Sequence, residues 1–237
     1  MIQSTRLTDT GRVVMISGAG RGIGAAIAQR LAQQGWRISA GLRDPDAFTL
    51  PSPHMACHFD ATDCESEQHW VARTLARHGR IDAVVANAGI MIPGSLLEVD
   101  DAGLERMLQV NVRSPARLVR AAWPALQATG QGRVIILSSL SGKRVKSPRS
   151  GTYAISKFAA VGLSNGIRRL GWADGIRSTV ICPSFVATDM TAGVNGLDPS
   201  EMTQPDEIAT MASMVLDMPN HASVSELCVT CRDEDMF

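Results

Sequence analysis

The sequence has no excess of charge of either sign and no long apolar stretch. Its 23 Lys and Arg residues balance its 23 Asp and Glu residues, so nothing indicates a nucleic acid or an anionic membrane as a partner. No run of about 18 apolar residues occurs, which argues against a transmembrane helix. The first residues, MIQSTRLTDTGR, lack the apolar stretch of a signal peptide. We therefore expect a cytoplasmic protein.

Cysteines are few and scattered. Their number, five, is odd, which is typical of a reducing compartment and not of a disulfide framework. Cys228 and Cys231 lie close together in the stretch CVTC, and if this stretch is a strand their side chains point to opposite faces. No second Cys or His pair lies at the spacing of a zinc site. We predict no metal site.

Tyrosine is almost absent. Tyr153 is the only one in 237 residues, and Lys157 follows it in the stretch YAISK. One interpretation is a buried ring on an ordinary helix, with a lysine that reaches solvent. The other is a phenol that gains and loses a proton beside a positive charge. The motifs elsewhere in the chain distinguish between the two.

Short apolar, β-branched segments alternate with longer segments of helical periodicity throughout the chain. Seven segments resemble strands: RVVMISG, WRISAGL, HMACHFD, IDAVVANAG, GRVIILSS, IRSTVICPS and SELCVTC. Apolar strands separated by helices indicate a parallel sheet that is covered on both faces. We predict a single α/β domain over residues 1–237. Its fold is a Rossmann-like, doubly wound, seven-stranded parallel sheet with helices on both faces.

Two segments depart from simple alternation. The helical stretch from Asp100 to Thr129 contains Pro115 and Pro124, which are expected to bend or break it. The stretch GVNGLDPSEMTQPDE, after the sixth predicted strand, is long and irregular. Ligands of doubly wound sheets bind at the carboxyl ends of the strands, so this stretch would lie over the crevice as a lid.

A glycine-rich turn, SGAGRGIG, joins the first predicted strand to the first helix. Its glycines let the backbone approach a pyrophosphate, which then lies at the positive end of the helix. Their spacing differs from the common pattern G-x-G-x-x-G. Further polar motifs follow at the carboxyl ends of later strands or on helices that face this edge: NAG, LQVNV, ILSSLSG, YAISK and CPSFVATDM.

With these motifs in this order, the sequence resembles the short-chain dehydrogenase/reductase family nearly from end to end. Two positions depart from the family pattern: Ser17 replaces a threonine and Ser184 replaces a glycine. The resemblance implies a catalytic set of Asn111, Ser139, Tyr153 and Lys157. It also implies a homo-oligomer, a tetramer or dimer, formed through the long helices before and after the fifth strand.

The resemblance implies a role for each of these side chains. Ser139 holds the substrate oxygen, although Ser138 and Ser141 are close alternatives, and a loop or helix-cap hydroxyl is the simpler interpretation. Asn111 kinks its helix and holds a water that connects the lysine to solvent. Lys157 contacts the nicotinamide ribose, Val186 and Thr188 contact the carboxamide, and Asp60 binds the adenine amine. The full set of expected cofactor contacts is Gly18, Gly20, Arg21, Gly22, Ile23, Gly24, Arg43, Asp60, Asn87, Ala88, Gly89, Tyr153, Lys157, Pro183, Val186 and Thr188.

Hydride transfer at a carbinol carbon also requires a proton to leave or reach the substrate oxygen. A free phenol, with a pKa of about 10, is a poor base at neutral pH. Lys157 and an oxidised nicotinamide both favour the phenolate. We therefore expect Tyr153 to have a lowered pKa and to act as the general acid–base.

The cofactor is expected to be NADP, with NAD less favoured. By the resemblance, the residue that reads the adenosine ribose is Leu42, with Arg43 next. No carboxylate is then present to repel a 2′-phosphate, and Arg43 can pair with it, helped by Arg21. Asp44 partly offsets these charges.

The substrate is less well defined. The segment SGKRVKSPRS carries Lys143, Arg144, Lys146 and Arg149, which either attract an anionic group of the substrate or form an ordinary solvated surface. The irregular segment is small and polar, which favours a small secondary alcohol or carbonyl compound. We predict an NADP-dependent oxidoreductase. The alternative is a non-catalytic NADP-binding sensor or scaffold of the same fold, although such a protein is expected to have lost Tyr153 or Lys157.

Overall fold

A computed structural model describes residues 10–193 and 196–234 of the chain. The stretch at residues 1–9, for which the sequence predicts no signal peptide, lies outside the described part. Within the described residues, no helix combines the length and the apolar character that crossing a membrane requires.

The sheet has seven parallel strands in the spatial order β3-β2-β1-β4-β5-β6-β7. Each strand lies inside a segment that the sequence predicts, which confirms the doubly wound α/β fold. The strands are Val13–Ser17 (β1), Arg37–Leu42 (β2), Met55–His58 (β3), Ala83–Ala86 (β4), Arg133–Leu137 (β5), Arg177–Pro183 (β6) and Glu226–Val229 (β7). Because β7 ends at Val229, Cys231 lies beyond the strand in which it was predicted.

Helices cover both faces of the sheet. They are Gly22–Gln33 (α1), Ser66–His78 (α2), Asp101–Leu108 (α3), Ser114–Ala128 (α4), Gly151–Leu170 (α5) and Pro205–Asp217 (α6). Buried residues of α1 and α6, such as Ile27 and Leu216, pack on one face. Trp70 of α2, Leu118 of α4 and Val161 of α5 pack on the other. Alternate residues of each strand serve the two faces, as the period of a β-strand requires.

The long helical stretch after β4 changes its winding around Asn111. Residues Gln109–Arg113 form a π-helical turn between α3 and α4. Pro115 lies in the first turn of α4, where a helix does not need the missing N–H. Pro124 lies inside α4 without ending it, so of the two predicted effects, a bend or a break, the break does not occur there. The interruption of the α-helical pattern falls at Asn111 instead, and π-helical turns are frequent at functional sites.

The order of the strands reverses beside β1. β2 and β3 lie on one side of β1, whereas β4 and the later strands continue on the other. In open α/β sheets, this reversal opens a crevice outside the carboxyl ends of the strands. All seven strands are parallel, so every residue that follows a strand lies along this one edge.

Gly41 in β2 is required by the packing of Trp70. A Cβ at position 41 would lie 2.6 Å from the Trp70 ring, which is fully buried. We expect Gly41→Ala to lower the free energy of unfolding by about 1–3 kcal/mol, because the ring cannot move without leaving its site. Gly166→Ala is the matched control, since nothing lies within 4 Å of a Cβ there. Thermal unfolding measures both, and equal melting temperatures would contradict the packing argument.

Candidate active site

The glycine turn shapes a cradle at the amino end of α1. Gly18 and Gly22 have φ angles of +68° and +54°, a region that side chains disfavour. A Cβ at Gly24 would lie 2.3 Å from the carbonyl oxygen of Gly18, so only glycine fits there. No side chain caps the start of α1. Its first N–H groups are thus available to an anion, which agrees with a pyrophosphate bound at this position.

Ser17 and Asn87 tie this turn to the end of β4. The Ser17 hydroxyl accepts hydrogen bonds from the backbone N–H groups of Asn87 and Ala88, both at 3.0 Å. The Asn87 side chain donates to the carbonyls of Ser17 at 2.9 Å and Gly18 at 3.2 Å. The serine therefore does what a threonine hydroxyl would do here. Asn87 is held by the protein itself.

Tyr153, Ser139 and Lys157 lie together beyond the end of β5. Tyr153 is 8% exposed and Lys157 is 5% exposed. The Ser139 side chain lies close enough to the Tyr153 phenol to lower the pKa of the phenol. The Lys157 ammonium lies 5.6 Å from the centre of the Tyr153 ring and donates to the carbonyl of Leu137 at 3.1 Å. One helical turn of α5 thus presents a phenol and a cation to the same crevice.

The pKa of Tyr153 differs from the sequence prediction. Burial raises it to about 12, and the hydrogen bond with Ser139 offsets only part of that effect. Burial also lowers the pKa of Lys157 to about 8. Burial causes both shifts, because a buried site disfavours the charged form of either group. The expected lowering of the Tyr153 pKa is therefore wrong for the protein alone.

The two neighbouring serines have different surroundings. The Ser138 hydroxyl donates to the carbonyl of Lys157 at 2.9 Å and is buried. The Ser139 hydroxyl accepts from the backbone N–H of Ser141 at 3.1 Å and caps a short 3₁₀ turn. Ser139 thus fills the role of a cap and also meets the phenol, whereas Ser138 is committed to packing α5 on β5.

Asn111 joins the π-helical turn to the candidate catalytic residues. It exchanges two hydrogen bonds of 2.9 Å with the backbone of Ile90 and donates a third to the Ser156 hydroxyl. Ser156 in turn donates to the carbonyl of Tyr153 at 2.8 Å. The side chain of Asn111 is therefore occupied by protein partners. A Cβ at Gly89 would lie 3.3 Å from the Asn111 amide oxygen and 3.6 Å from Lys157 Nζ, so Gly89 leaves the space between them open.

The residues expected at the adenosine end lie at the ends of β2 and β3. Arg43 is exposed directly after β2. The Asp44 side chain accepts a hydrogen bond from the backbone N–H of Asp46 and thereby caps a short 3₁₀ turn. Hydrogen bonds from Thr62 to Asp60 lower the pKa of Asp60, and the Arg43 charge contributes to the same shift. Arg21 points away from this group and pairs with Asp189 at 2.8 Å.

The segment after β6 closes the other side of the crevice. β6 ends at Pro183, and Val186 in the segment that follows forms a parallel bridge to Thr203. The backbone N–H of Ala187 donates to Thr203, and that of Thr203 donates to Phe185. Thr188 lies against Gly22 of the glycine turn, 3.2 Å from the position of a Cβ there. The contacts at Val186 and Thr203 enclose most of the predicted lid, residues 193–207, and bring the two ends of that part together beside the glycine turn. Residues 194 and 195 lie outside the described part, and α6 begins within the predicted stretch at Pro205.

The basic segment between Ser139 and Tyr153 is paired with carboxylates. Lys143 pairs with Glu226 at 3.0 Å, and Arg149 lies 3.9 Å from Glu98. Arg144 and Lys146 both contact Glu234, at 3.4 Å and 3.0 Å. Neither of the two interpretations from the sequence includes these acidic partners. Glu234 gave no sequence signal because 88 residues separate it from Lys146.

A group of Cys182, Glu226 and Cys228 offers possible metal ligands within 4.8 Å of one another. Sequence spacing missed it because the cysteines meet across two strands. Burial raises the pKa of Cys182 to about 12 and that of Cys228 to about 11, so both are thiols at neutral pH. Lys143 already neutralises Glu226. In the protein alone the cluster therefore holds two neutral thiols beside a paired carboxylate.

Comparison with known proteins agrees with this arrangement. A family model described as short chain dehydrogenase matches residues 12–197, a span that includes the glycine turn, Asn111, Ser139 and YAISK. The chain is 37% identical over 231 residues to an agropine synthesis reductase of Rhizobium rhizogenes. That match covers 94% of this chain and 53% of the relative, so the chain spans about half the length of the curated relatives that it matches first.

Solved structures of similar proteins contain NADP or a derivative. An alcohol dehydrogenase of the archaeon Thermococcus sibiricus, complexed with 5-hydroxy-NADP, superposes with a TM-score of 0.82 at 30% identity, over 92% of this chain and 95% of that one. A short chain dehydrogenase of Burkholderia cenocepacia in complex with NADP gives 0.84 at 26% identity, over 93% and 97%.

The single tyrosine makes the pKa shift directly measurable. We expect phenolate absorbance to appear in the folded protein only near pH 12, and at about pH 10 after unfolding. Because the folded state holds its proton more tightly, the stability that this provides is present below about pH 10 and is lost as the pH rises towards 12. Spectroscopic titration in buffer and in urea measures both midpoints. A folded midpoint at or below the unfolded one would contradict the effect of burial.

Proposed function

The chain belongs to the short-chain dehydrogenase/reductase family of oxidoreductases, and from this premise we propose that it transfers a hydride between NADP(H) and a small secondary alcohol or carbonyl compound. The observation that carries the proposal is the group of half-buried Ser139 with buried Tyr153 and Lys157 at the edge of the sheet where the glycine cradle lies. When bound, the nicotinamide cofactor supplies or accepts the hydride. The protein must bind the reactants and move one proton.

We propose Tyr153 as the group that moves this proton. With a pKa of about 12 in the protein alone, the phenol is protonated at neutral pH and ready to donate to a carbonyl oxygen. Oxidation needs the reverse transfer, and a positive charge near the ring is then required to lower the pKa. Lys157 supplies one such charge when it is protonated. Ser139, whose side chain acts on the pKa of the phenol, is proposed to hold the same substrate oxygen.

Lys157 and Asn111 support this proton transfer. The pKa of Lys157, about 8, allows it to exchange a proton near neutral pH. Asn111 holds the backbone of Ile90 beside the space that Gly89 leaves open next to the lysine. We propose that this space admits the water that connects Lys157 to solvent.

We propose NADP as the preferred cofactor. Leu42 ends β2 at the position where NAD-dependent Rossmann folds have a carboxylate. Arg43 follows it, and Asp44 is committed to a turn. Two similar structures contain NADP or 5-hydroxy-NADP. Arg21 is less suited to bind the 2′-phosphate than the sequence implied, because it pairs with Asp189.

We also propose a homo-oligomer, a dimer or tetramer, formed through α4 and α5. Ile155 and Phe158 are 44% and 46% exposed on one face of α5, as expected of a helix that meets a second copy. A cytoplasmic location is consistent with five cysteines that are all free.

Replacement of Tyr153 by phenylalanine separates an oxidoreductase from the alternative, a non-catalytic NADP-binding sensor or scaffold. We expect Tyr153→Phe to lower NADPH-linked kcat by about 100- to 10,000-fold, the usual contribution of general acid–base catalysis. NADPH affinity is expected to remain, because the glycine cradle is unaltered. Turnover of a carbonyl panel and NADPH fluorescence titration measure the two effects. Undiminished turnover in this variant would defeat the assignment of Tyr153.

Arg43 determines the preference between the cofactors. We expect Arg43→Gln to weaken NADPH binding relative to NADH by about 10- to 100-fold, which corresponds to the loss of a charge-assisted hydrogen bond. Arg77→Gln, at the last turn of α2 and at the opposite edge of the sheet, is the matched control and leaves the ratio as it was. Fluorescence titration with both cofactors gives the ratio. An unchanged ratio in Arg43→Gln would assign the phosphate site to another residue.

A further inference from the structure

Four side chains beside the candidate active site surround the carboxylate of Glu234. Ser184 donates a hydrogen bond to it. Lys146 lies 3.0 Å from it, Arg232 lies 3.2 Å from it, and Arg144 lies 3.4 Å from it. The Glu234 side chain is only 5% exposed. We name Arg144, Lys146, Ser184 and Arg232 the Glu234 cradle.

The cradle has more binding capacity than Glu234 uses. Three cations surround one carboxylate, and the Nε of Arg144 is buried without a hydrogen-bond partner among the described residues. The only hydrogen bond that Arg144 makes to Glu234 is long, at 3.4 Å. A guanidinium can hold a carboxylate through two parallel hydrogen bonds. An unused buried donor costs free energy, so this arrangement fits a carboxylate that can approach Arg144 more closely than Glu234 does.

The cradle borders the groups that are proposed to perform the chemistry. Arg144 and Lys146 lie in the loop between Ser139 and Tyr153. Ser184 follows the end of β6, and its backbone N–H continues the ladder by donating to Val229 at 2.8 Å. Two residues earlier on that strand, Cys182 belongs to the core cluster on the face of the sheet that is covered by α5, the helix of Lys157. Alternate residues of a strand point to the same face, so Ser184 lies on the side of the sheet that carries Lys157.

Glu234 is held by side-chain contacts and not by a strand or helix. β7 ends at Val229, and residues 230–234 form no regular element. Burial alone would raise the pKa of Glu234, but hydrogen bonds from Ser184, Lys146 and Arg232 outweigh this effect and lower it. The cradle therefore favours an ionised carboxylate. A segment without its own backbone pairing is an occupant that another carboxylate can replace.

We propose that the Glu234 cradle is a carboxylate-binding subsite for the substrate, and that Glu234 holds the place that a substrate carboxylate takes. This assignment rests on the proposed function and narrows its substrate to hydroxy acids or oxo acids. It also gives a role to Ser184, one of the two residues that depart from the family pattern. A glycine at this position has no hydroxyl to donate to a carboxylate.

Chemical rescue tests the subsite without requiring turnover. Glu234→Ala removes a group of the size of acetate from the cradle of the full chain. We expect this variant to melt at a lower temperature and to regain stability when sodium acetate is added, but not with acetamide or sodium chloride at equal concentration. In Glu234→Ala with Arg144→Gln, the response to acetate should fall about 10-fold or more, because the main donor is lost. Equal responses to acetate and chloride would overturn the subsite.

Turnover tests the role of the subsite in substrate choice. The readout is the ratio of kcat/KM for an oxo acid to that for its ester, beginning with acetoacetate and ethyl acetoacetate in the presence of NADPH. We expect Glu234→Ala to raise this ratio by removing the competing carboxylate. Arg144→Gln and Ser184→Gly should lower it, the former by about 10- to 100-fold. Arg149→Gln is the matched control, since Arg149 pairs with Glu98 outside the cradle.

The outcomes separate this proposal from the proposed function. NADPH-linked turnover with the same acid-to-ester ratio in all variants would overturn the subsite and leave the oxidoreductase assignment standing. Acetate rescue without turnover of any carbonyl compound would overturn the proposed function, and with it the assignment to a substrate. A ratio that follows the charge of the cradle supports both.

Discussion

The hydrogen bonds between Ser17 and the residues that follow β4 fix the glycine turn in place, and the rest of the site depends on that position. β1 and β4 are neighbours at the reversal of strand order, and beyond their ends no ladder keeps them together. Ser17 accepts from two backbone N–H groups there, while the Asn87 amide returns two bonds to the glycine turn. These bonds fix the glycine cradle relative to the NAG segment, residues 87–89. The crevice therefore exists before any ligand enters it.

Most of the fold could be predicted from the sequence, because buried parallel strands must be apolar and are therefore visible as runs. The gathering of Asn87, Asn111, Ser139 and Tyr153 at one edge follows from the same geometry. The place where the long helix is interrupted was less predictable from residue types. Pro124 is a strong helix breaker by type, yet α4 continues through it, and the π-helical turn lies around Asn111 instead. Glu234 and the pair of Cys182 and Cys228 were missed for a different reason. Their contacts join segments far apart in sequence, and no local pattern records them.

The direction of the Tyr153 pKa shift was the error with the most chemical meaning. Proximity of a lysine predicts a lower pKa, but the same burial that brings the two groups together penalises both charges. The protein alone therefore holds a neutral phenol beside a lysine that titrates near neutral pH. Charge enters this site with the reactants, so its acid–base state is coupled to what is bound.

The bridge between Val186 and Thr203 separates two parts of the crevice that can change at different rates. The residues proposed for proton transfer lie on α5, in the turn after β5 and in the π-helical turn, whereas the segment that leaves at Val186 rejoins the protein beside its own starting point. An insertion or deletion within that segment alters the ends of no strand, because its base is already closed. Homologues can therefore diverge in the molecules they accept while they inherit one unaltered reaction centre.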